Sequence, residues 1–128
     1  MADRVALITG GAKGIGRGIA LDLAAQQWKI AFCYRTSEAE AQSTAQAITA
    51  RGGTALPLQC DVSHPEAATQ LAARVEAEWG RIDALINGAG PYHRVNLFEE
   101  SVNGWNEMFD GNLHPIFYLA QAVAPGMK

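Results

Sequence analysis

The sequence predicts an α/β architecture: a doubly wound parallel sheet, truncated to four strands in the order 3-2-1-4, with helices on both faces. Three observations point to it. Short apolar runs rich in β-branched and aromatic residues alternate with segments of helical periodicity, four times over, which implies parallel strands covered on both sides. A glycine-rich turn stands between the first strand and the first helix, where this class of sheet places one. The composition, 48% hydrophobic and 18% charged over 128 residues, suits one domain with a real core.

The elements follow in order. RVALIT, residues 4–9, is an apolar run ending in glycines and reads as a buried strand. Residues 14–27 carry Ile15, Ile19, Ala20 and Leu23 at helical spacing. KIAFCY, residues 29–34, is the second strand. Ser37 and Glu40 have the spacing of a capping box, Ala41, Ala45 and Ile48 supply an apolar stripe, and Gly52-Gly53 ends that helix. TALPLQ, residues 54–59, is a third strand whose Pro57 suits an edge. Ser63 and Glu66 repeat the capping-box spacing, and Leu71, Val75 and Trp79 carry a helix to Gly80. IDALI, residues 82–86, is a fourth strand. Helical segments follow over residues 101–124, with Ile116, Leu119, Ala120 and Val123 as the expected buried face. Right-handed crossovers place the first two helices on one face. A reversal at the third crossover puts strand four beside strand one and opens a ligand crevice between them.

Charge and cysteine usage narrow the function. A net charge of -3 and scattered cations exclude a basic nucleic-acid footprint and a polybasic membrane patch. No apolar run is long enough for a membrane span, and the N-terminal run meets glycine by Gly10. A cytoplasmic location is expected. Cys33 and Cys60 read as reduced core thiols. His64, His93 and His114 lack ligand spacing, so no metal is expected.

The turn Thr9-Gly10-Gly11-Ala12-Lys13-Gly14-Ile15-Gly16 carries the chemistry. Gly10 turns the chain out of the strand, Gly14 lets backbone approach a pyrophosphate, and Gly16 permits close helix packing. The helix behind it offers free amides and a partial positive charge to phosphates. At the end of the second strand stands Cys33-Tyr34-Arg35-Thr36, with no acid before Glu38 to take an adenosine 2′-hydroxyl. Lys13 and Arg35 are placed instead to meet a 2′-phosphate.

TGGAKGIG, Asp61-Val62, EWGRIDALINGAG and WNEMFDGNLHPIFYLAQAVAPGMK arrive in the order of the motifs of the short-chain dehydrogenase/reductase family, which the chain resembles along essentially its whole length. The resemblance is to the 3-oxoacyl-carrier-protein reductase branch. It implies a Rossmann-type fold, with residues 1–128 as a single NAD(P)-binding domain incomplete at its C-terminus. It implies that Thr9, Gly10, Gly11, Lys13, Gly14, Ile15, Gly16, Tyr34 and Arg35 bind the cofactor. By the same resemblance Asp61 bonds the adenine with Val62 packed nearby. Asn87, Gly88, Ala89 and Gly90 line the ribose-nicotinamide side, and Asn112 is the active-site asparagine. Gly88 departs from the family's pattern, which has a second Asn there. A basic residue at position 13 or 35 matches the family's NADP users, so NADP(H) is expected over NAD(H).

In that family hydride passes between nicotinamide and a small carbonyl or alcohol substrate, and a Ser and a Tyr-x-x-x-Lys complete the site. Tyr34, Tyr92 and Tyr118 are followed four places on by Glu38, Asn96 and Ala122. The catalytic Ser and Tyr-x-x-x-Lys are therefore expected beyond these residues, and the chain alone is expected to be inactive unless complemented. The resemblance also implies a homo-oligomer. A non-catalytic NADP(H)-binding module or fragment is the alternative reading. Tyr92, His93 and Phe98 stand in the one segment here that could face a substrate.

Overall fold

The two inner strands are apolar along most of their length because each faces a helix layer on both sides. The computed structural model describes residues 3–88 and 96–127. In chain order it shows β1 (Val5–Thr9), α1 (Gly14–Ala25), β2 (Lys29–Tyr34), α2 (Glu38–Ala50), β3 (Thr54–Gln59), α3 (Pro65–Trp79) and β4 (Ala84–Asn87). A single 3-10 turn (Leu97–Glu99), α4 (Val102–Asn112) and α5 (His114–Met127) follow. The strands are parallel in the order β3-β2-β1-β4, as expected.

One face of the sheet presents Ala6, Ile8, Ile30 and Phe32 to Ala20, Leu21 and Ala24 of α1 and to Ala41 and Ile48 of α2. The other presents Val5, Leu7, Ala31 and Cys33 to Leu71 and Val75 of α3 and to Leu119 and Val123 of α5. The alternation of period two along β1 and β2 thus sends successive side chains into two separate cores.

Several local expectations are corrected. Ser37 makes no side-chain cap; its ψ of 60° is not the extended conformation that aims a capping hydroxyl at the helix. Ser63 does not cap α3 either. The N-cap is His64, one residue on, and the Ser63 hydroxyl donates to Asp61. The first helix stops at Ala25, two residues early, because Gln27 takes a left-handed φ of 69° and its amide turns back to Ala24. Strand four is displaced toward Asn87. Asp83, expected inside it, instead accepts the Val5 amide through its carboxylate at 2.8 Å and is gripped by Arg81.

The last helical stretch is two helices, broken at Leu113. Pro115 has no amide to return to Gly111, and its ring would crowd that carbonyl. The buried face of α5 is accordingly Pro115, Leu119 and Val123, while Ile116 and Ala120 are exposed.

Candidate functional site

The carboxyl ends of β1 and β4 meet where the chain reverses its direction of winding, and the Gly88 amide donates to the Thr9 carbonyl at 3.0 Å. A Cβ at position 88 would stand 2.7 Å from that carbonyl oxygen. Glycine at this position therefore follows from how closely the two strand ends approach. Gly10, with φ of 67°, takes the chain out of β1, and its amide returns to the Cys33 carbonyl. A Cβ on Gly16 would overlap the Gly10 carbonyl, so α1 sits directly on the turn.

At Gly14 the chain again has positive φ, and a Cβ there would meet nothing within 4 Å. Its outer side is open. The first turn of α1 has no acidic residue, and its leading amides have no carbonyl partner inside the helix. Ile15 is 82% exposed beside them.

These residues form one wall of a cleft of about 830 Å³. The expected Gly10, Lys13, Gly14, Ile15 and Gly16 line it, as do Tyr34, Arg35, Asp61, Val62 and Gly88. Thr9, Gly11, Asn87 and Asn112 are not among its lining residues. Thr9 and Gly11 are buried beneath the turn, and a Cβ on Gly11 would touch that of Phe32 at 2.5 Å. Asn112 is exposed at the end of α4, one residue beyond the lining Gly111, and its amide nitrogen lies 3.8 Å from the Met108 sulfur. Ala89, Gly90, Tyr92 and His93 lie outside the described residues. Phe98 is 94% exposed and does not line the cleft.

Asp61 is ionised throughout the ordinary pH range. The Ser63 hydroxyl donates to Oδ1 at 2.6 Å and the Ser63 amide to the same oxygen at 3.0 Å. These bonds, led by the hydroxyl and aided by His64 and Arg35, hold the carboxyl below its usual range against the cost of burial. Lys13 and Arg35 are exposed and line the same cleft. The two thiols are poor nucleophiles. Burial pushes Cys33 up to about 12, and burial together with Asp61 raises Cys60, whose sulfur donates to the Ala67 carbonyl.

The sequence reading missed part of the lining. Cys33 and Cys60 belong to the core and also to the cleft wall. Both stand at the carboxyl ends of inner and edge strands, and that position was the available signal. Glu107, Asp110 and Gly111 of α4 close the far side. Nothing local marked them, because their approach depends on how α4 docks. Among the described residues no group of three or more His, Cys, Asp or Glu could hold a metal, and no helix is long and apolar enough to cross a membrane.

Residues 4–128 match the family model described as short chain dehydrogenase. A 3-oxoacyl-[acyl-carrier-protein] reductase of Staphylococcus epidermidis is 31% identical over 125 residues, covering 98% of this chain and 51% of that protein. A short-chain dehydrogenase/reductase of Serratia marcescens, solved as a double mutant, superposes with a TM-score of 0.94 at 29% identity, over 99% of this chain and 52% of the other. A Burkholderia cenocepacia chain described as a dehydrogenase, solved with bound NADP, has a TM-score of 0.87 at 35% identity, over 94% and 46%. The chain spans about half the length of the curated relatives it matches.

Proposed function

The chain belongs to the short-chain dehydrogenase/reductase family, and on that premise we propose that its cleft holds NADP(H) for an oxidoreductase acting on a small carbonyl or alcohol. The observation that carries the reading is the cleft at the β1–β4 reversal. It joins an open glycine turn, an ionised Asp61 and two exposed cations in one volume.

The residues present fit an extended, phosphorylated dinucleotide. The open side of Gly14 and the amides of the first α1 turn receive the pyrophosphate. Asp61, acceptor-only, takes a donor such as the adenine amino group, and Val62 packs beside the ring. The second strand ends in Tyr34-Arg35 with no acid before Glu38, and Lys13 and Arg35 supply the counter-charge of a 2′-phosphate. Ile15 loses its exposure when a ligand lies over the turn. Bound in this way the cofactor supplies or accepts hydride. Asn112 is assigned to the reacting end as the active-site asparagine. The Burkholderia neighbour with NADP supports the choice of nicotinamide, and the Staphylococcus relative supports a carbonyl substrate for the whole protein.

Fluorescence titration of the purified chain tests this. NADPH is expected to bind on the order of tenfold more tightly than NADH. Lys13→Ala combined with Arg35→Ala should erase that difference while leaving NADH affinity in place. Equal affinity of the unaltered chain for both dinucleotides would remove the assigned roles of the two cations, and no binding of either would end the cofactor reading.

A further inference from the structure

Thr44 lies in the middle of α2, outside the cleft lining and fully buried. Other helix threonines bond within their own helix: Thr49 donates to the Ala45 carbonyl and Thr69 to Pro65, four residues back in each case. Thr44 instead reaches across to the glycine turn. Its Oγ1 donates to the Ala12 carbonyl at 2.6 Å and accepts from Arg17 Nε at 3.1 Å. A hydroxyl has one proton. With the Arg17 N–H on a lone pair of Oγ1, that proton is directed to Ala12.

The consequence lies on the other side of the peptide. A trans peptide is planar, and its C=O and N–H point in opposite directions. The Ala12 carbonyl is drawn toward α2, so the Lys13 N–H is turned away from α2, and residues 12–16 line the cleft. Were this peptide to turn over, a carbonyl oxygen would meet an incoming phosphate in place of an amide, and repulsion would replace attraction.

We propose that Thr44 is a positioning residue for dinucleotide binding: its hydroxyl locks the Ala12–Lys13 peptide so that the Lys13 amide faces the phosphates. The proposal rests on the cofactor reading above. Thr44→Val keeps the volume and removes both hydrogen bonds, Thr44→Ser restores the hydroxyl, and Thr49→Val serves as a control.

Two readouts are taken on all four proteins: the Ala12 carbonyl-carbon and Lys13 amide-nitrogen resonances without ligand, and the dissociation constant for NADPH. Thr44→Val is expected to move both resonances and to weaken NADPH roughly threefold to tenfold. Thr44→Ser should return both to the unaltered values, and Thr49→Val should change neither. Unmoved resonances in Thr44→Val, an unchanged dissociation constant, or failure of Thr44→Ser to rescue would each overturn the proposal. Absence of NADPH and NADH binding by the unaltered chain sinks the cofactor reading and this proposal with it. Normal binding with an indifferent Thr44→Val sinks the proposal alone.

Discussion

Asp61 carries its charge into the cleft because Ser63, two residues on, donates twice to the same oxygen. Its pKa is depressed, so the stabilisation from this pair is complete above the unfolded pKa and is lost as pH falls through the folded one. Cofactor affinity is therefore expected to show no Asp61 titration between about pH 8 and about pH 5, since the ordinary carboxylate range already lies below. Asp61→Ala should weaken NADPH roughly tenfold across that window. An affinity that falls in Asp-like fashion within it would show that the carboxylate is not held ionised. The position of Asp61 after the third strand was readable in the sequence. Its bond to Ser63 was not, because Ser63 and Glu66 also fit a capping box, and only the start of α3 at His64 shows that the hydroxyl does not cap the helix.

At the scale of elements, α1 rests on the turn that precedes it. A Cβ on Gly16 would overlap the Gly10 carbonyl, whereas one on Gly18, a half-turn further along the same helix, would meet nothing within 4 Å. Two alanine substitutions in one helix should thus act in opposite directions. Gly16→Ala forces the helix off the turn and is expected to cost about 1–3 kcal/mol and to weaken the cofactor. Gly18→Ala adds helix propensity and is expected to stabilise by about 0.5–1 kcal/mol. Urea denaturation of the two variants measures both, and destabilisation by Gly18→Ala would show that the space above it is filled. The glycine pattern was legible in the sequence with this role attached. The end of α1 was not, since Gln27 adopts its left-handed turn without the glycine that usually announces one. On α5 the expected Leu119 and Val123 are buried, whereas Ile116 and Ala120 are exposed and Pro115 is buried instead. Ile116 and Ala120 fit a helical stripe as well as Pro115, Leu119 and Val123 do, and contact with α3 selects the second set.

The whole molecule buries two cores, with β3 and β4 at the two edges of the sheet. Pro57 marks the β3 edge, while among the described residues β4 pairs only with β1, and Leu85 and Ile86 are half-buried. Trp105, Leu113 and Phe117 are more than half exposed on α4, α5 and the break between them. An unprotected strand edge together with large exposed apolar side chains favours association. The 128-residue chain is expected to self-associate with rising concentration, and Phe117→Ser to reduce that tendency. Sedimentation velocity at tens of micromolar checks it, and a monomer at every concentration would show that this edge and these side chains are inert.

The sequence by itself determined the parallel four-stranded sheet, its strand order and the glycine turn. Each is written in short-range pattern: runs of apolar residues, helical periodicity and glycines at fixed spacing. It also marked Lys13, Arg35 and Asp61, which stand at the carboxyl ends of strands where such a sheet binds ligands. Only the tertiary structure decided that Thr44 of α2 holds the turn, that Glu107 and Asp110 face the same cleft, and that Gly88 is required by the approach of β4 to Thr9. These contacts join residues far apart along the chain. The direction of a side chain across a helix interface depends on docking geometry, which no local pattern encodes.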